Sequence, residues 1–178
     1  MPAPAQMPYD SLPDVPSFTV TSTDVSDGEK LPMAQVSGIF GAGGEDRSPQ
    51  LSWTGFPPET KSFVVSCFDP DAPTGSGFWH WNVLDIPVET TELAADAGSQ
   101  DGANLPAGTV VINNDAGLPG YLGAAPPAGH GPHRYVFAVH ALSEEKVGVD
   151  NSVGNAIAGF NMFGKVIARG LLVPIYEQ

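Results

Sequence analysis

The chain has 178 residues, 42% of them hydrophobic and only 15% charged, with 21 glycines and 18 prolines. That suits one domain with its own core and disfavours a helical bundle, because glycine and proline interrupt helices. With 20 acidic against 7 basic residues the net charge is −13, and no basic run offsets it, so nucleic acid and anionic membranes are excluded as partners.

Residues 1–17, MPAPAQMPYDSLPDVPS, are rich in proline and read as an extended arm along the surface. The arm has neither the basic nor the apolar region of a signal peptide, and nowhere does the chain approach the ~20 apolar residues of a membrane span. A cytoplasmic protein without stable membrane insertion is expected. From Phe18 to the end, a single domain is predicted. Its short apolar runs are SFTVTST, AQVSGIF, QLSWTGF, KSFVVSCF, FWHWNVLDI, GTVVINN and HRYVFAVHAL, separated by turns such as SDGEK, DPDAPTGSG and APPAGHGP. Short strands joined by Gly, Pro and Asp turns predict a mainly β fold of the sandwich or two-sheet kind. The single cysteine, Cys67, excludes an internal disulfide and reads as a small buried hydrophobe. From Asn151, NSVGNAIAGFNMFGKVIARGLLV spaces its apolar residues as a helix does, with Asn151 or Ser152 as cap and Lys165 and Arg169 near its end. GLLVPIY then reads as a final short strand.

The chemistry concentrates in FDPDAPTGSGFWHW, residues 68–81. Strand alternation puts Asp69 at the end of an apolar face with Phe63, Val65 and Cys67. It puts Phe78, His80, Asn82 and Leu84 on one face of the next strand, with Trp79 and Trp81 opposite. A third strand over 133–142 carries His133, Tyr135, Phe137 and Val139 on one face. Asp69, His80, His133 and Tyr135 would then meet at one end of a sheet as a small polar pocket with apolar walls. Two imidazoles and a phenol supply hydrogen-bond donors, and the carboxylate orients a histidine or takes a proton from a protonated phosphate. Pro70 and Pro73 stiffen the loop, and Ala72–Pro73 is expected to be cis. Asp-Pro-Asp is also an ordinary turn in which an aspartate caps its own backbone. Arg134 alternates away from His133 and reads as an ion-pair partner for Asp71. His130, in a glycine loop, and His140, in a buried strand, have weaker claims.

FDPDAP followed by GFWHW, then GPHRYVFAVHAL, with SPQLSW (48–53) ahead of them, resembles the signature stretches of the phosphatidylethanolamine-binding protein family. The bacterial, Raf-kinase-inhibitor-like branch is the closer match. The resemblance implies a large central β-sheet packed on a smaller one, with one or two helices near the C-terminus. It implies a pocket for a phosphate-type anion or phospholipid head group, formed by Asp69, His80, His133 and Tyr135 with Pro70 and Pro73. Asp71, Trp79, Trp81, Pro132 and Arg134 would support that wall. The chain departs from the family pattern at Ala116 and at Ala124–Ala125, positions that border the pocket and bear on ligand size.

A non-catalytic binding protein that modulates a kinase or protease is therefore expected, with no cofactor or metal and with a homodimer as a further option. The alternative is a hydrolase using the same Asp/His set, metal-dependent or acid–base. A third option is a pure interaction role, in which the acidic surface favours a basic partner.

Overall fold

The computed structural model describes residues 5–178; residues 1–4 of the arm lie outside the described residues. In chain order the strands are β1 (Thr19–Thr21), β2 (Leu51–Thr54), β3 (Ser62–Asp69), β4 (Phe78–Pro87), β5 (Glu92–Leu93) and β6 (Val110–Val111). They continue with β7 (His133–Arg134), β8 (Val136–Leu142), helix α1 (Asn155–Met162), β9 (Val166–Leu172) and β10 (Ile175–Tyr176). Five of them form the central antiparallel sheet in the order β6-β4-β3-β8-β9. A smaller sheet runs β1-β2-β5, and β7 pairs with β10 as a ribbon.

β3 is central because it is buried along its whole length. Its two faces are both apolar, as a strand covered on both sides requires. On the inner face Phe63, Val65 and Cys67 pack with Trp81, Val83, Phe137 and Val139, closed by Val20, Leu51 and Trp53 of the smaller sheet. On the outer face Val64, Leu84 and Leu142 pack against Ala158 and Met162 of α1. Cys67 is fully buried in the inner core, and burial pushes its thiol well above the ordinary range.

Several sequence-based expectations fail. AQVSGIF is no strand: Met33–Gln35 make one 3-10 turn and the rest is loop. β5 is too short for any periodicity to mark it. The C-terminal helix is confined to Asn155–Met162, because Gly164 takes a left-handed φ of +79° and sends Val166–Leu172 into the sheet beside β8. Lys165 and Arg169 are thus a loop and a strand residue, not the helix's last turn. Its N-cap is Gly154, without a side-chain bond. Finally, no peptide bond among the described residues is cis. Ala72–Pro73 is trans because the turn already closes through Thr74 N–H to the Ala72 carbonyl at 2.7 Å.

Candidate functional site

β3 ends on Asp69 and β4 begins at Phe78, so the hairpin loop between them opens at one end of the central sheet. Gly77 makes the return: its φ is +69°, and a Cβ there would stand 2.8 Å from the Asp69 carbonyl oxygen. The β3–β4 register then slips by one. Cys67 faces Trp81 and Phe68 faces Trp79, which leaves His80 as an extra residue, a β-bulge. The bulge overturns the expected alternation. His80 and Trp81 both serve the inner side, His80 at the pocket and Trp81 in the core, while Trp79 and Asn82 line the outer face. Trp79 and Trp81 therefore lie on opposite faces.

The strand expected over 133–142 is broken at Tyr135. β7 leaves the central sheet to pair with β10, His133 opposite Tyr176, and β8 resumes at Val136. The break brings His133 and Tyr135 over the end of β3.

The result is a cavity of about 190 Å³ walled by Asp69, Pro73, Phe78, His80, His133 and Tyr135, with Leu122, Ala125 and two further prolines opposite. Asp69, His80, His133 and Tyr135 are all buried there. Pro70, Pro132 and Ala116 are not in its wall, and Ala124 is in the core. No lysine or arginine lines it among the described residues.

Each polar atom of the wall has a definite state. Asp69 spends both oxygens: Oδ1 accepts the Asp71 N–H at 2.8 Å, and Oδ2 accepts His133 Nδ1–H at 2.7 Å. The first bond is the self-capping turn; the second orients the histidine. One carboxylate thus closes the Asp-Pro-Asp turn and holds His133. His133 Nε2 lies 2.7 Å from His130 Nδ1, so a hydrogen-bonded row runs from buried Asp69 through His133 to exposed His130. The His-x-x-His spacing across a Gly-Pro turn was the sequence signal for this row.

His80 donates Nδ1–H to the Leu122 carbonyl at 2.8 Å. Its Nε2 is therefore the ring atom without a protein partner, an acceptor when the ring is neutral. Burial lowers the His80 pKa, against the Leu122 bond and the charges of Asp69 and Asp115, which raise it. Tyr135 stands edge-on to His80 with ring centres 5.2 Å apart, and its buried hydroxyl has no partner among the described residues. Burial, with Asp69 second, raises its pKa, so the hydroxyl is a donor at any ordinary pH.

Arg134 points away and pairs with Asp71 as the alternation predicts. Nε and a terminal nitrogen each reach a different Asp71 oxygen at 2.8 Å, and the Arg134 N–H adds a third bond at 2.9 Å. Burial raises the Asp71 carboxyl, but these bonds outweigh it and hold the pKa below the ordinary value. The pair ties the Asp69 loop to β7.

The match to known proteins decides the family. The family model for phosphatidylethanolamine-binding protein matches residues 21–177. This chain belongs to the phosphatidylethanolamine-binding protein family. Among its relatives, YbcL of Escherichia coli strain K12 is 47% identical over 161 residues, 90% of this chain and 88% of YbcL. YbhB of the same strain is 44% identical, over 88% of this chain and 98% of YbhB. The crystal structure of YbcL, described as a new member of the mammalian PEBP family, superposes with a TM-score of 0.88 over 91% of this chain and 99% of that one. The large-sheet, small-sheet architecture is that of the family, and these relatives are of the bacterial type.

Proposed function

We propose that the cavity at the end of the central sheet binds a phosphate-type anion or phosphorylated head group that itself carries one proton. The observation behind this is the pairing of two unpartnered groups, the Tyr135 hydroxyl and His80 Nε2, in one small cavity. A doubly charged anion would meet one donor and one lone pair with no cationic residue. A monoprotonated phosphate suits both: its P–OH donates to His80 Nε2, and a phosphoryl oxygen accepts from Tyr135. Alternatively His80 takes up the proton and donates. Either route adds one proton to the complex relative to the free dianion, so affinity rises as pH falls. Capture involves no covalent step. His133 has its Nδ1 fixed by Asp69, and any donation from it into the cavity requires His130 to give up Nε2.

By family resemblance the role of this capture is to modulate a kinase or protease, and a net charge of −13 favours a basic face on such a partner. Calorimetry with inorganic phosphate and with phosphoethanolamine at pH 5.5 and pH 8 tests the binding. Tighter binding at pH 5.5 is expected, with a loss of about tenfold in Tyr135→Phe. Equal affinity for the native protein, Tyr135→Phe and His133→Ala would refute it. Hydrolysis of p-nitrophenyl phosphate that depends on Asp69 and His133 would instead favour the acid–base hydrolase.

A further inference from the structure

The outer face of the central sheet carries a second cavity of about 580 Å³, between α1 and residues 8–15 of the arm. Its volume is that of a site for a small organic molecule. Val64, Trp79, Met162, Phe160 and Phe163 make its walls apolar, and Phe160 and Phe163 are 77% and 65% exposed at its lip. One charged side chain lines it, Arg169 of β9.

The partners of Arg169 do not neutralise it. Nε donates to His140 Nδ1 at 3.0 Å, and the guanidinium lies 4.3 Å from the centre of the Tyr9 ring. Burial, with the Arg169 charge second, lowers His140 to about 3, so this imidazole is neutral. Burial holds the Tyr9 phenol protonated by raising it to about 12. No carboxylate lies within 4.0 Å of Arg169 among the described residues, and its terminal nitrogens make no hydrogen bond among them. A chain with 20 carboxylates and 7 cationic side chains leaves this partly buried guanidinium facing an apolar groove.

The groove has a second polar mark. Asn82, which also lines it, gives its Nδ2–H to Asn155 but leaves its buried Oδ1 without a partner among the described residues. Arg169 on β9 is separated from Asn82 on β4 by β8 and β3 and by two residues along the strands, a span of ~16 Å at the usual strand spacing and rise, close to the reach of an extended twelve-carbon chain with its head group.

We propose that this groove binds an amphipathic carboxylate, its head group on Arg169 and its apolar body lying across β8 and β3 toward Asn82. The head group supplies the negative charge that Arg169 lacks. The body covers the apolar wall and the lip aromatics, and a hydroxyl on it would satisfy Asn82 Oδ1. The site lies across the sheet from the phosphate pocket and stands independently of it.

Displacement of bound N-phenyl-1-naphthylamine by dodecanoate and by methyl dodecanoate tests this on the full chain. One equivalent of dodecanoate should bind, at least about tenfold tighter than the ester. Arg169→Met should abolish that preference. Gly159→Trp fills the groove from α1 at a position where a Cβ meets nothing within 4 Å, so it should weaken both ligands at least about tenfold with an unchanged melting temperature. This variant keeps the test decisive if Arg169→Met does not fold. Equal affinity for acid and ester in the native protein overturns the proposal, as does indifference to Gly159→Trp or competition by inorganic phosphate. A dimer by light scattering whose groove is closed to dodecanoate also overturns it, assigning the face to a second copy.

Discussion

His133 and His140 are both buried, yet the sheet uses them in opposite ways. His133 sits at the sheet's end with a carboxylate on one nitrogen and a solvent-facing imidazole on the other. His140 sits in mid-strand, receives a hydrogen bond from a guanidinium, and has no carboxylate beside it. The first is held by a carboxylate and reaches the surface through His130; the second has neither contact among the described residues. Burial alone does not make a histidine functional; what touches its two nitrogens does.

The largest effect that separates them is an acid limb of stability. His140 is held at about 3 when folded and titrates near 6.5 when unfolded, so the folded state disfavours its protonation. Stability from this group is complete above pH ~6.5 and is lost as pH falls toward 3, by on the order of 4 kcal/mol. Urea denaturation against pH should show this slope, and His140→Gln should remove most of it. A slope unchanged in His140→Gln would mean that the ring is protonated in the fold.

Breaking the His133 side is the next largest effect. Asp69→Ala strips the acceptor from the buried His133 N–H and the part-buried Asp71 N–H at once, and a loss of about 2–4 kcal/mol is expected by denaturation at pH 7. A loss below about 1 kcal/mol would show that water replaces the carboxylate. The smallest effect sharpens the contrast between fold and function. Tyr135→Phe removes a hydroxyl that bonds to nothing among the described residues, so stability should change by less than about 0.5 kcal/mol while phosphate affinity falls. A large destabilisation would instead identify the hydroxyl as a structural group.

Much of this was legible in the sequence, and the failures share a cause. Period-two alternation located β3, β4 and β8 and put Asp69, His80, His133 and Tyr135 at one sheet end, because one face of each strand must be apolar. The Arg134–Asp71 pair followed from the same rule. What alternation cannot read is a change of phase. The bulge at His80 depends on which residue of β3 meets which residue of β4, and the break at Tyr135 depends on β10, more than thirty residues on. The helix was overextended because Val166 and Ile167 fit a helical period as well as a strand. The partner strand β8 decided for the sheet. His130 was undervalued because its glycine loop hid how near it comes to His133.

The bulge also has a meaning for the length of the chain. Remove His80 alone, and Trp81 still faces Cys67, Trp79 still faces Phe68 and Phe78 still faces Asp69, leaving only the register shift between Phe63 and Val65 in the ladder. No other side chain would need to change sides. A chain one residue shorter would keep the β3–β4 pairing but lose both bonds between His80 and Leu122, one from its ring at 2.8 Å and one to its carbonyl at 2.9 Å. Residue 80 thus ties the Leu122 loop to β4 while lining the cavity, and the geometry there is set by the number of residues in the strand as much as by their identity.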